Sequence, residues 1–207
     1  RLLEGINRID KNNIYSIFLS HTGYNGRVPE ADNFRIRVNT SNPLIWKNLW
    51  LPRQVRREKI DLMHFPAYTS SFVNIGKNIV TIHDVIHKVT PRWFSRKELF
   101  LIELPIQMAI KNATKIIAVS ENTKQDIIKY YNVESEKIAV TLEAADASFQ
   151  PIDDSLQLEY IRGKYGLESD FILYVGVLFK RRNIERLLEA FSLLKRERII
   201  SEYFLSK

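Results

Sequence analysis

The chain has 207 residues, 45% hydrophobic and 27% charged, a composition that excludes disorder and is long enough for more than one domain. It contains no cysteine, which removes disulfides, thiolate catalysis and zinc held by cysteine. No apolar run approaches the roughly 20 residues of a membrane span, and no signal-peptide pattern opens the chain, so a cytoplasmic location is expected. The formal charge of +7 admits nucleic acid, an anionic membrane surface or a phosphorylated small molecule as partners.

In chain order, Leu2, Leu3, Ile6 and Ile9 repeat at helical spacing and predict the end of a helix over residues 1–9. Two strands follow, over Ile14–Ser20 and Asn33–Val38, separated by a loop that contains His21. Residues 45–57 fit a helix broken near Pro52. Ile60–Phe65 and Asn78–His83 are short strands, and Arg96–Lys111 is a helix with a start or kink at Pro105. Lys115–Val119 reads as a buried strand, Ser120 as the N-cap of a helix over Glu121–Tyr131, and Lys137–Leu142 as another buried strand. Strand, helix and strand in this rhythm predict an α/β fold, a parallel sheet with crossover helices.

Proline and acidic residues then interrupt the rhythm, which divides the chain into a first domain over 1–150, a linker region over 151–170 and the start of a second domain over 171–207. In that second part Phe171–Val177 has the composition of a fully buried strand, and Ile184–Leu194 of an amphipathic helix.

The strand Asn78–His83 carries the first candidate chemistry. Its β-branched run stops at His83 and Asp84, and in open parallel sheets ligands sit beyond the carboxyl ends of the strands. His64, at the end of the preceding strand, is a candidate for the same cleft. His83, Asp84 and His87 resemble H-E-x-x-H in spacing, but that metal motif needs a helix and this one begins at a strand end, so no metal site is expected.

Four stretches agree in order: TIHDVIHKVTPRWFS at 81–95, ATKIIAVSENTKQDII at 113–128, KIAVTLEAADASFQP at 137–151 and ILYVGVLFKRRNIERLLEAFSLLK at 172–195. Together they resemble the family 4 (group 1) glycosyltransferases of the GT-B fold. The resemblance implies two Rossmann-like domains, the first on the acceptor side and the second binding a nucleotide-sugar donor, with transfer that retains anomeric configuration and requires no metal or other cofactor. It implies catalytic roles for His83 and Asp84, and donor contacts from Ser120, Glu121, Gly176, Arg181, Arg182 and Asn183. Val177 and Arg182 depart from the family's usual arginine and lysine; a guanidinium still suits a diphosphate at the second of these positions.

The implied activity is hexosyl transfer, mannosyltransferase-like, to a sugar or lipid-linked acceptor in glycan or cell-surface polysaccharide synthesis. An anionic membrane surface is a further candidate partner, with peripheral attachment at the inner face, and nucleic acid is not expected because the basic clusters lack interleaved aromatics. The family's glycine-rich loop and its paired glutamates find no counterpart in these residues, and 199–207 do not continue the pattern, so the 207 residues alone are expected to be inactive. Two rival readings are a sugar-nucleotide epimerase-like protein of the same fold and a non-catalytic basic binding module.

Overall fold

A computed structural model describes residues 2–20, 28–167 and 171–196. The loop with His21 and the segment 199–207 therefore lie outside the described residues. The chain divides into two compact units, Arg1–Glu143 and Ala144–Lys207.

The first unit begins with helix α1 (Leu2–Ile9), as the helical spacing predicts. Strands β1 (Tyr15–Leu19) and β2 (Phe34–Val38) follow and pair with each other in parallel as a separate two-stranded sheet. Tyr15 stacks on Phe34, with ring centroids 5.0 Å apart, at the start of this pair.

The predicted break at Pro52 is absent, and the reason is local. Helix α2 (Pro43–Ile45) runs into a π turn (Trp46–Trp50) and then into α3 (Leu51–Arg57), with Pro52 fully inside. A proline in an α-helix clashes with the carbonyl four residues back and cannot donate to it. The wider turn immediately before Pro52, closed by Leu51 N–H on the Trp46 carbonyl, moves that carbonyl aside. It also places Trp46 and Trp50 beside each other, centroids 5.8 Å apart, and Trp50 edge-on to Phe18 of β1. That aromatic cluster ties the small sheet to the main core.

The main sheet contains β3 (Met63–Phe65), β4 (Asn78–Ile82), β5 (Lys115–Ala118) and β6 (Ile138–Val140), in the order β3-β4-β5-β6 and parallel throughout. The α/β prediction, parallel strands with crossover helices, is thus what this unit shows. Between β4 and β5 lie α4 (Ile86–Val89) and α5 (Arg96–Asn112), and between β5 and β6 lies α6 (Glu121–Tyr131). Alternation along the strands buries Val80 and Ile82 of β4 beside Ile116 and Ala118 of β5, all with no exposed surface. Ile106, Ala109 and Ile110 of α5, Ile127 of α6 and Leu51 and Val55 of α3 complete one continuous core.

Caps define these helices. Ser95 and Glu98 close a reciprocal capping box at the start of α5, Ser120 accepts from Thr123 N–H at the start of α6, and Asn132 ends α6 in the left-handed conformation. Pro105 sits within α5 without ending it.

Just past α3, Glu58 accepts from Arg37 of β2 at 2.7 Å and from Ser16 of β1 at 2.8 Å. Desolvation works to raise its carboxyl, but these two partners win and hold it below the usual glutamate range. A depressed acid contributes stability above its unfolded value and loses it as pH falls through the folded one. The denaturation midpoint of the protein should therefore fall below about pH 4.5, and more gently in Glu58→Gln; identical acid limbs in the two proteins would contradict the assignment.

The second unit contains α7 (Ser155–Tyr165) and α8 (Ile184–Arg196), with a short 3-10 turn (Lys180–Arg182) before α8. Two expectations are corrected here. The region 151–170 is not plain linker, because Asp154 caps the N–H groups of Leu156 and Gln157 and Gly166, at φ 63°, closes α7 in the conformation glycine favours. Phe171–Val177 forms no strand, and Leu173 and Val175 are 72% and 83% exposed. A strand is stable only when its N–H and C=O groups meet a neighbour, and among the described residues of this unit no strand is present to pair with it.

Candidate active site at the carboxyl edge of the main sheet

Parallel strands bring their carboxyl ends to one edge, and the residues just past those ends form the site. His83 and Asp84 follow β4 directly, so the predicted pair stands at that edge. Tyr68 follows β3, Ser120 follows β5 and Glu143 follows β6.

The His83 ring is held from three sides. Nδ1 faces Glu143 Oε1 at 3.0 Å, Nε2 faces the Pro66 carbonyl oxygen at 3.1 Å, and Tyr68 lies against the ring, centroids 5.4 Å apart. Both polar neighbours are acceptors. A neutral imidazole donates through one nitrogen only and keeps one of them; the doubly protonated ring keeps both. The ring is thus oriented by at least one donated hydrogen bond.

Asp84 is exposed and uses one oxygen for each of two local bonds. Oδ1 accepts from Ile86 N–H at 3.2 Å, the first turn of α4, and Oδ2 accepts from Tyr68 O–H at 3.2 Å. Each oxygen retains a further lone pair, so the carboxylate can still accept from a hydroxyl of a bound ligand.

The supporting loop is itself fixed. Tyr68 N–H donates to the Thr81 carbonyl, and Tyr68 has φ 49°, left-handed and uncommon for a tyrosine. Lys47, reaching from the π turn, donates to Thr69 Oγ1 at 2.7 Å, and burial lowers its ammonium from the ordinary lysine value. Across the edge, Thr123 Oγ1 of α6 donates to the His83 carbonyl at 3.0 Å. The α6 amino terminus is therefore bonded to the backbone of His83.

The remaining predicted residues divide. Ser120 spends its hydroxyl on Thr123 N–H, 3.0 Å, which is helix capping, while Glu121 is exposed in the first turn. His64 lies inside the sheet, opposite Ile79, bound through Nε2 to Thr81 Oγ1 at 2.9 Å; burial lowers its imidazole from the ordinary value. None of its contacts reaches His83 or Asp84. In the second unit, Gly176 precedes the 3-10 turn that holds Arg181 and Arg182, both exposed, and Asn183 at φ 53° leads into α8. The Arg181 guanidinium lies over the Phe179 ring at 5.6 Å.

Tyr68, Thr123 and Glu143 are site residues that sequence reasoning missed. Tyr68 and Glu143 lie just past the ends of β3 and β6, and Thr123 in the first turn of α6 after β5, so the rule that pointed to His83 would have found Tyr68 and Glu143 had it been applied to β3 and β6.

The model of Glycosyltransferase Family 4 matches residues 15–148. This chain belongs to that family. The match takes in the whole main sheet and every residue of the site at its edge. The chain is similar to the serotype-specific mannosyltransferase WbdA of Escherichia coli, 28% identical over 65% of this chain and 17% of that protein. It is also similar to O-antigen chain mannosyltransferase B of Escherichia coli, 27% identical over 59% of this chain and 32% of the relative. The O-antigen chain mannosyltransferase RfbU of Salmonella typhimurium is 26% identical over 78% of this chain and 42% of its own length. The chain thus spans less than half the length of each of these relatives. Among solved structures it is similar to a glycosyltransferase from Rickettsia africae ESF-5, with 19% identity, a TM-score of 0.42 and coverage of 67% of this chain and 38% of that one.

Proposed function

We propose that this family member transfers a hexosyl unit, mannose in keeping with the names of its relatives, from a nucleotide-sugar to a sugar or lipid-linked acceptor in polysaccharide synthesis. Transfer proceeds with retention and without a required metal or other cofactor. The observation that carries the reading is the ring of His83 and the carboxylate of Asp84 standing together at the carboxyl edge of the sheet, within the segment the family shares. His83 and Asp84 are assigned to the reacting sugar, hydrogen-bonding its hydroxyls and meeting the positive charge that develops at the anomeric carbon. Glu143 and Tyr68 act through them as positioning residues.

The donor diphosphate is assigned to Gly176, Arg181, Arg182 and Asn183, with the free N–H groups at the amino terminus of α8 adding to the anion site. Ser120 and Glu121 border the reacting edge from α6. Arg181→Gln with Arg182→Gln should weaken nucleotide-sugar binding about 10- to 100-fold, the worth of one or two charge-assisted contacts; calorimetry showing unchanged affinity rejects this assignment.

The reaction is tested by incubating the protein with GDP-mannose and a mannose-ended acceptor, with and without EDTA, and following the anomeric signals by NMR. A new linkage of the donor's own configuration, formed equally in EDTA, supports the reading. Donor converted to an epimer without acceptor means a sugar-nucleotide epimerase instead. Unchanged donor, together with no acceptor-induced shifts at amides 83–86 and 120–123, overturns it.

A further inference from the structure

The π turn that accommodates Pro52 also reaches the site. Such turns gather at functional positions, and this one presents Lys47 and Asn48 to the loop of residues 66–77, which joins β3 to β4. A parallel crossover is usually covered by a helix. This loop contains neither helix nor strand, so its place is set by the side chains that hold it. Lys47 Nζ donates to Thr69 Oγ1 at 2.7 Å, and Asn48 Oδ1 accepts from Phe72 N–H at 2.7 Å.

Thr69 follows directly on Tyr68, whose hydroxyl donates to Asp84 Oδ2. Tyr68 is left-handed, at φ 49°, a conformation that a tyrosine keeps only where its surroundings fix it from both sides. The Thr81 carbonyl takes its N–H on one side, and Lys47 holds the next residue on the other. For stability alone, a lysine is a poor choice here. Its ammonium is half-buried and faces a neutral hydroxyl, and among the described residues no carboxylate pairs with it. Burying such a cation weakens a fold, whereas a methionine of similar length needs no such hydration.

We propose that Lys47 is a positioning residue for Asp84, acting through Thr69 and Tyr68: it fixes the stretch of chain from which the Tyr68 hydroxyl reaches the Asp84 carboxylate, and so the orientation in which that carboxylate meets the reacting sugar. The assignment rests on the transfer proposed for this site. Lys47 itself touches no reacting atom, so its effect falls on rate through Asp84 and not on substrate binding.

Two measurements test it. The first needs no activity: in the full chain, Lys47→Met should speed hydrogen exchange about 5- to 10-fold at the amides of Tyr68, bonded to Thr81, and Ile86, bonded to Asp84, with the melting temperature unchanged or raised. The second is a double-mutant cycle in a polypeptide that shows the proposed transfer. Lys47→Met should lower kcat about 3- to 10-fold at unchanged KM, and should lower it no further in a Tyr68→Phe background, where the hydroxyl that carries the effect is gone. Unchanged exchange, additive losses of kcat in the cycle, or a lowered melting temperature with native kcat each overturns the proposal; the last makes Lys47 a structural contact only. Faster exchange at both amides in a protein that transfers no sugar overturns the reading of the site and leaves Lys47 coupled to Asp84.

Discussion

In a polypeptide that shows the proposed transfer, replacing His83 with alanine is expected to lower it by about 10²- to 10⁴-fold, the range that a positioned proton-carrying side chain contributes. The expectation rests on how firmly the ring is placed. Glu143 and the Pro66 carbonyl take its two nitrogens, Tyr68 packs against its face, and Thr123 holds its backbone carbonyl. These restraints come from the carboxyl ends of β3 and β6 and from the first turn of α6. Glu143→Gln keeps an oxygen for Nδ1 but removes the charge, so a smaller loss of about 3- to 10-fold in kcat is expected, with a changed pH profile that a merely structural role would not produce. Asp84→Asn leaves the oxygen that accepts from Ile86 and separates capping from charge. Steady-state rates with the circular dichroism as a folding control decide it: a His83→Ala protein that retains more than half the native rate removes His83 from the chemistry.

What could be read in advance follows a physical pattern. Helix α6 was legible because its start signal is local, a serine whose hydroxyl meets the N–H three residues on. The strand at 78–82 was legible because β-branched residues stop at an ionisable pair. The continuity of the helix through Pro52 was not, since the π turn that accommodates the proline is set by the packing of Trp46 and Trp50 against β1.

Phe171–Val177 failed for the converse reason. Composition states that a segment suits a buried strand, but the strand exists only where a neighbour supplies hydrogen bonds. At the site, His83 and Asp84 were readable from position, whereas Glu143 meets His83 from 60 positions further along the chain and Tyr68 meets Asp84 through a loop. No local pattern encodes either contact. The parallel topology does, once every strand end is considered together.

Removing Glu103 should have the largest effect on stability, and the effect should reach the site. His87 of α4 is almost wholly buried, and its Nε2 meets Glu103 Oε2 of α5 at 3.0 Å and Tyr131 O–H of α6 at 2.9 Å. Tyr131 donates to the same Glu103 oxygen at 3.1 Å, and Lys88 pairs with the other at 2.7 Å. One carboxylate therefore joins three helices. Glu103→Ala leaves His87 and Tyr131 with only each other and Lys88 without its carboxylate, which costs about 2–4 kcal/mol and should lower the melting temperature by about 6–12 °C for a chain of this size. Desolvation, with Glu103 beside it, raises the Tyr131 phenol above its ordinary value of 10.0. The unfolded chain gives up that proton near pH 10 while the folded one keeps it, so native stability should fall as pH rises above about 10, and Tyr131→Phe should remove that part of the decline. Because Asp84, two residues before α4, holds the first N–H of that helix at Ile86, loosening the cluster frees the carboxylate as well. Glu103→Ala should thus lose transfer activity well below its melting point; a variant as stable as the native protein by thermal and urea denaturation would show that the three helices are held together by their apolar contacts alone.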